Sequence, residues 1–253
     1  MELVLSLFPG IDLLGRGFTA NGFCVVKGPD LIWDERIEDF HTPPYHFSAI
    51  IGGPPCQNYS DANRHRNPTE GDRLLREFLR VVHEAKPHWF LIENVRNVPD
   101  IKITNYTIQR LDITDTDADG KQLRLRHIQF GSRNGDIIRP LRTERRRPVT
   151  PTITCRDNNQ HDTHARRLAK QGAPPLPLKA LTATARSRAI GNAVSYRVAL
   201  LLAAAVKQRG PVTTNDCPCR CGRVTKKGTL ANAACRKRMQ RRRHSHTRTI
   251  TYP

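Results

Sequence analysis

Long apolar runs are missing from this 253-residue sequence. The longest, VALLLAAAV, is helix-length at best, whereas a bilayer-spanning helix needs about 20 apolar residues, so no membrane partner is expected. The opening MELVLSLF has neither a basic leader nor a small-residue cleavage site, so no signal peptide and a cytoplasmic location are expected. Acidic residues are scarce, 23 against 42 Lys and Arg, and the formal charge of +19 calls for a polyanionic partner. No amphipathic helix with an apolar face accompanies the arginines, which favours nucleic acid over an anionic membrane. No internal repeat is present. The cysteines number seven, and four crowd between 217 and 235, which suits reduced thiols and a metal site better than a disulfide framework.

What is present alternates between two periods. ELVLSLF, CVVKGPD, YHFSAIIGG, HWFLIENV and LRHIQFGS read as strands. GDRLLREFLRVVHEAKP has helical period, with Leu74, Leu75, Phe78, Leu79 and Val82 on one face. PGIDLLGRGFTANGF reads as a turn entering a short helix, and SRAIGNAVSYRVALLLAAAVKQ as a loop followed by a strong helix. The alternation predicts an α/β fold, a parallel sheet with helices on both faces. Ligands of such sheets sit beyond the carboxyl ends of the strands. Phe8 to Gly10, Asp30, Cys56 and Glu93 all follow predicted strands, so they converge on one rim. A lone cysteine is usually buried and inert. Cys56, set between GGPP and QN on that rim, is a candidate nucleophile instead.

The stretches FPGID, PPCQ, ENV, QLRLR and IGNAV, in this order, resemble the C5-cytosine DNA methyltransferase family over roughly residues 3 to 207. The resemblance implies a Rossmann-like, S-adenosylmethionine-dependent methyltransferase sheet and a duplex DNA substrate. It implies that Cys56 attacks C6 of a flipped cytosine, that Glu93 holds the N3 and N4 edge of the base, and that Arg124 and Arg126 contact the base oxygen and support the site. Asn94 and Val95 would support the turn after the strand. On the cofactor side it implies Phe8, Gly10 and Ile11 in the first loop, and Asp30 at the ribose hydroxyls. Leu31 would lie against the adenine and Asp39 at the adenine amine, with Pro54 and Asn192 completing the pocket. DNA modification, as in restriction-modification, by a monomer in a bacterium or phage-infected cell is the implied setting. A tRNA substrate and a decayed nucleic-acid-binding protein are the rival readings.

The pattern departs from the family in four places. Asp12 stands where a glycine is usual, and Ser195 where a proline is. The penultimate motif, around HARRLAKQG, is degraded. Only roughly sixty residues separate Arg126 from IGNAV, which leaves about 132–160 for target recognition. Residues 1–210 are therefore expected to form the catalytic domain and 211–253 a basic, cysteine-rich module. In that module Cys217, Cys219, Cys221 and Cys235 are candidate zinc ligands and ACRKRMQRRR a basic helix for phosphates. Cys24 and Cys155 are expected to be structural.

Overall fold

The computed structural model describes residues 1–61, 63–65, 67–143, 150–154, 163–225, 229–230, 232–233, 235–236, 239 and 248–253. Cys155, most of RTERRR, much of the region 132–160 and most of the basic helix expected at 234–243 lie outside them.

Six strands form one sheet in the order β2–β1–β3–β4–β7–β6, comprising β1 (Leu3–Leu7), β2 (Cys24–Lys27), β3 (Ala49–Gly52), β4 (Trp89–Asn94), β6 (Thr107–Thr114) and β7 (Leu125–Ser132). The first four run parallel. β7 runs antiparallel to both neighbours, so the expectation of a wholly parallel sheet is corrected to a mixed one. The reason is the connection. A parallel neighbour needs a crossover, whereas β6 reaches β7 through one short 3₁₀ turn at Asp115–Ala118.

Both faces of the central strands are sealed, which is why they read as unbroken apolar runs. In β4, Trp89 and Leu91 face one core with α1 (Leu13–Ala20) and α5 (Tyr196–Lys207). Phe90 and Ile92 face the other, with Leu75, Phe78 and Leu79 of α2 (Pro68–Ala85). α3 (His164–Lys170) and α4 (Ala183–Asn192) complete the helices. The expected loop at SRAIGNAV is shorter than read: α4 runs through SRAIGN, and its Thr182 caps the Ala185 N–H.

Residues 249–252 return to the body. Beneath the α2 face, β8 (Thr249–Tyr252) pairs in parallel with β5 (Asp100–Ile103), and Ile250 enters the α2-side core. No single helix among the described residues is long and apolar enough to cross a membrane.

Candidate active site

The strand order reverses between β1 and β3, because the chain leaves β1 for β2 on one side and returns to β3 on the other. A crevice opens at such a switch point, beyond the carboxyl ends of the two strands. Here it is a cavity of about 900 Å³ lined by the loops after β1, β2 and β3 and by α4.

The loop after β1 is held in an unusual backbone. Phe8, Gly10 and Asp12 all adopt positive φ. Asp12 is tolerated because aspartate is among the residues that enter the left-handed region at modest cost. Its carboxylate caps α1 by accepting from the Gly15 N–H at 3.1 Å, and it accepts the Ser6 hydroxyl at 3.0 Å. Burial pushes the Asp12 carboxyl above its usual range, against the pull of those two bonds and of Lys27 and Arg16. The departure from glycine therefore serves the helix and leaves the cavity lining, Phe8 to Ile11, in place.

Asp30 closes the far wall. Its oxygens accept from the Gly10 N–H at 2.7 Å and the Ile32 N–H at 2.9 Å, which joins the first two loops. Leu31 lines the cavity and is 71% exposed. Asn192, at the end of α4, lines the opposite side. Asp39 is not brought there: it is exposed, and the neighbouring Glu38 lines the cavity instead, paired with Arg73. Pro54 is buried behind the lining formed by Gly53 and Pro55, and its carbonyl accepts from Asn94 Nδ2 at 3.0 Å.

That last bond ties the Cys56 loop to the end of β4. A second tie runs from Asn97 Nδ2 to the Tyr59 carbonyl, 3.2 Å. The Cys56 carbonyl accepts the N–H groups of Tyr59 and Ser60, both at 3.0 Å, so the chain turns immediately after the thiol. Cys56 is partly exposed. Burial pushes its thiol above the ordinary value; Arg126 pulls it down, Glu93 pushes it up and Arg124 pulls it down. The three motif residues thus act electrostatically on one sulfur.

Glu93, at the carboxyl end of β4, is buried, and its Oε1 lies 2.6 Å from Arg126 Nε. Gly53 gives the carboxylate its room, since a Cβ there would come within 3.0 Å of Glu93 Oε2. Arg126 is on β7, and Arg124, one residue before the strand, is buried close enough to feel Arg126, Glu93 and Cys56. Its guanidinium donates to the carbonyls of Ile153, Gly191 and Ala193 at 2.7, 2.8 and 2.8 Å. The first arginine of QLRLR is therefore a clasp that draws IGNAV, and Asn192 with it, to the rim.

A buried polar network that no motif announces stands behind IGNAV. Buried Gln122 donates to the Lys170 carbonyl and Gln171 Oε1, and Gln171 donates to the Ile190 carbonyl. The Ser195 hydroxyl bonds the Asp115 carboxylate, and Asp115 accepts the Gln122 N–H at 2.8 Å. Serine in place of proline at 195 keeps φ at −60° and adds a polar tether. Gln171 ends the degraded HARRLAKQ segment, so that stretch retains its supporting contacts.

A family model, C-5 cytosine-specific DNA methylase, matches residues 30–170. The chain belongs to this family. Among curated relatives it is 26% identical over 184 residues to the type II methyltransferase M.HgiDI of Herpetosiphon aurantiacus, covering 60% of this chain and 59% of that protein. It is 31% identical over 121 residues to M.AquIA of a Picosynechococcus strain, 38% of this chain and 49% of that one. The chain thus spans less than two thirds of the length of either. M.HgiGI of Herpetosiphon aurantiacus is 36% identical over 122 residues, which cover 94% of that protein and 39% of this chain. Two solved structures share the fold, a mutant of DNMT2 from Spodoptera frugiperda and the methyltransferase EhMeth of Entamoeba histolytica. Their TM-scores are 0.59 and 0.58 at 14% and 12% identity, with 82% of this chain and 100% and 98% of theirs covered.

Proposed function

We propose that this chain transfers a methyl group from S-adenosylmethionine to C5 of cytosine in duplex DNA, as a single polypeptide in the cytoplasm, serving DNA modification. The observation that carries this reading is the convergence of Cys56, Glu93 and Arg126 on one rim, next to the switch-point cavity.

The cavity suits the cofactor by its donor set. A carboxylate, Asp30, already held by two backbone N–H groups, stands beside exposed Leu31 and the bare backbone of Gly10. Hydroxyl donors of a ribose and the flat face of a purine match those groups, with Asn192 closing the far side. When bound, S-adenosylmethionine supplies an electrophilic methyl group.

The residues do the rest. Cys56 Sγ, as thiolate, adds to C6 of an extruded cytosine, and the electron pair moves to C5, which becomes the carbon that accepts the methyl group. Glu93 binds the N3 and N4 edge and favours protonation at N3, which draws electron density from C6. Arg126 holds Glu93 in place and favours the thiolate. Loss of the C5 proton and expulsion of the Cys56 thiolate restore the aromatic ring. The loop tied down by Asn94 and Asn97 keeps the sulfur at attack distance without a search.

A duplex carrying 5-fluorocytosine tests this directly, because fluorine at C5 blocks the elimination step. Wild-type protein with cofactor should form an adduct that survives denaturation and maps to Cys56. A parallel assay of labelled methyl transfer to duplex DNA and to tRNA reads the substrate. Absence of any adduct would end the covalent reading, and transfer to tRNA alone would overturn the choice of DNA.

A further inference from the structure

Residues 211–239 contain four buried cysteines whose apolar company is limited to Leu230 and Met239 among the described residues. Packing of that size cannot stabilise a folded segment by itself. The four sulfurs nevertheless meet. Cys217 and Cys219 Sγ lie 3.4 Å apart, Cys221 and Cys235 Sγ 3.6 Å, and all four lie within 4.8 Å of one another. In a tetrahedral site with Zn–S bonds of about 2.3 Å, sulfurs stand about 3.8 Å apart. Two separate thiol pairs would not require all four to share one centre.

The backbone between them is shaped as a knuckle. The Cys217 N–H donates to the Arg223 carbonyl and the Arg220 N–H to the Cys217 carbonyl, at 2.9 and 2.7 Å, and Asp216 bridges Val224. Arg220 and Gly222 take positive φ to complete the turn. The Arg223 guanidinium stands 3.6 Å from Cys221 Sγ, where a cation offsets the charge that a tetrathiolate site would carry.

The knuckle is docked by polar contacts onto one strap of the body, residues 137–142, which runs beside the edge strand β6. Arg139 makes a two-pronged pair with Asp216, 2.7 and 2.6 Å. Arg142 donates to the Cys221 carbonyl at 3.1 Å and also to the Asp112 carbonyl of β6 at 2.8 Å. Gln109 of β6 donates to both the Ile138 and the Arg220 carbonyls at 3.0 Å. Strap, knuckle and β6 therefore share one set of bonds.

We propose that Cys217, Cys219, Cys221 and Cys235 bind one Zn²⁺ as a tetrathiolate, and that this ion fastens the strap 137–142 against the edge of the catalytic sheet. The ion is structural: four protein sulfurs fill its tetrahedral coordination, so no position is open to a substrate. It rivets the part of the chain that leads from β7 into the short region between QLRLR and IGNAV.

The test uses the full chain, expressed with zinc and purified without chelator. Metal analysis should give about one zinc per chain, and four thiols should resist a thiol reagent until a chelator is added. Cobalt replacement should produce thiolate-to-metal charge-transfer absorption together with tetrahedral ligand-field bands. Cys24→Ser should keep the metal, whereas Cys221→Ser should lose it. On zinc removal, amide exchange should rise across 137–142 and 216–224 and stay unchanged in β1, β3 and β4. Zinc far below one equivalent, or a disulfide within the four cysteines, overturns the site. Bound zinc whose removal leaves exchange in 137–142 unaltered overturns the rivet. Neither readout depends on methyl transfer.

Discussion

Around Cys56, Glu93, Asn94 and Arg126 stand on a sheet covered on both faces; around Cys221, the apolar side chains packed against the four sulfurs are, among the described residues, Leu230 and Met239. The first region draws its order from long-range packing of Trp89, Phe90, Leu91 and Ile92 against helices on either side. Among the described residues the second has no such layer and, with zinc bound as proposed, draws its order from one ion. A site built on packing absorbs local changes of sequence, and Asp12 and Ser195 are such changes, each compensated by new hydrogen bonds. A site built on an ion has four residues that no other type replaces.

The largest expected effect separates the two regions outright. Cys56→Ala should reduce methyl transfer to the background of the assay, since among the described residues no other thiol stands on the rim, while DNA binding and zinc content stay at wild-type values. Residual turnover in that variant would break the covalent scheme. Next come the partners of the sulfur. Glu93→Gln and Arg126→Ala should each lower kcat by roughly 10²–10⁴-fold, the range for a positioned proton donor or charge at a reacting base. Their pair is largely buried, with side-chain exposures of 11% and 12%. Arg126→Ala therefore leaves a buried carboxylate without its cation, and circular dichroism must show a folded variant before the rate is interpreted. A defect confined to cofactor affinity would contradict the assignment of Arg126.

Acidity provides a third, smaller handle. The Cys56 thiol titrates above its ordinary value because of burial, so the reactive thiolate is the minor form at neutral pH and grows as pH rises. Single-turnover kcat/KM should climb by about one log unit per pH unit between roughly pH 6 and 8. A flat profile would mean that the free enzyme already holds the thiolate, or that another step limits the rate. Thiols of a zinc-loaded knuckle should show no titration over the same range.

Legibility followed the same division. β1, β3 and β4 could be read because burial on both faces makes them continuous apolar runs, and the rim followed from where they end. The direction of β7 could not, since periodicity is the same in parallel and antiparallel strands. TIQRLDIT and DIKI went unread because polar residues interrupt them, and TITY because four residues after a basic stretch give no sign of a partner 149 positions away. In the site, Glu93 and Arg126 pair with each other and both act on the Cys56 sulfur. Arg124 also serves backbone carbonyls, and Asp39 gives way to Glu38 at the cavity. Motif spacing records which residues neighbour one another along the chain. It carries nothing about buried polar ties such as Gln122 to Gln171, whose partners lie far apart in sequence.

The smallest effect concerns Asp12, the rim's own departure from its family. Asp12→Ala should cost about 2 kcal/mol, because alanine loses the cap and also pays for a left-handed backbone. Asp12→Gly loses the cap alone and should cost under about 1 kcal/mol. The two variants divide further with pH. Burial raises the folded-state pKa of Asp12, so its contribution to stability is complete while the carboxyl is protonated and shrinks as pH rises through that value. The glycine variant has no such group. Its deficit against wild type, read from urea midpoints, should therefore be larger near pH 3 than near pH 7. An equal deficit at both would show that Ser6, Gly15 and Lys27 fully offset the burial of the charge.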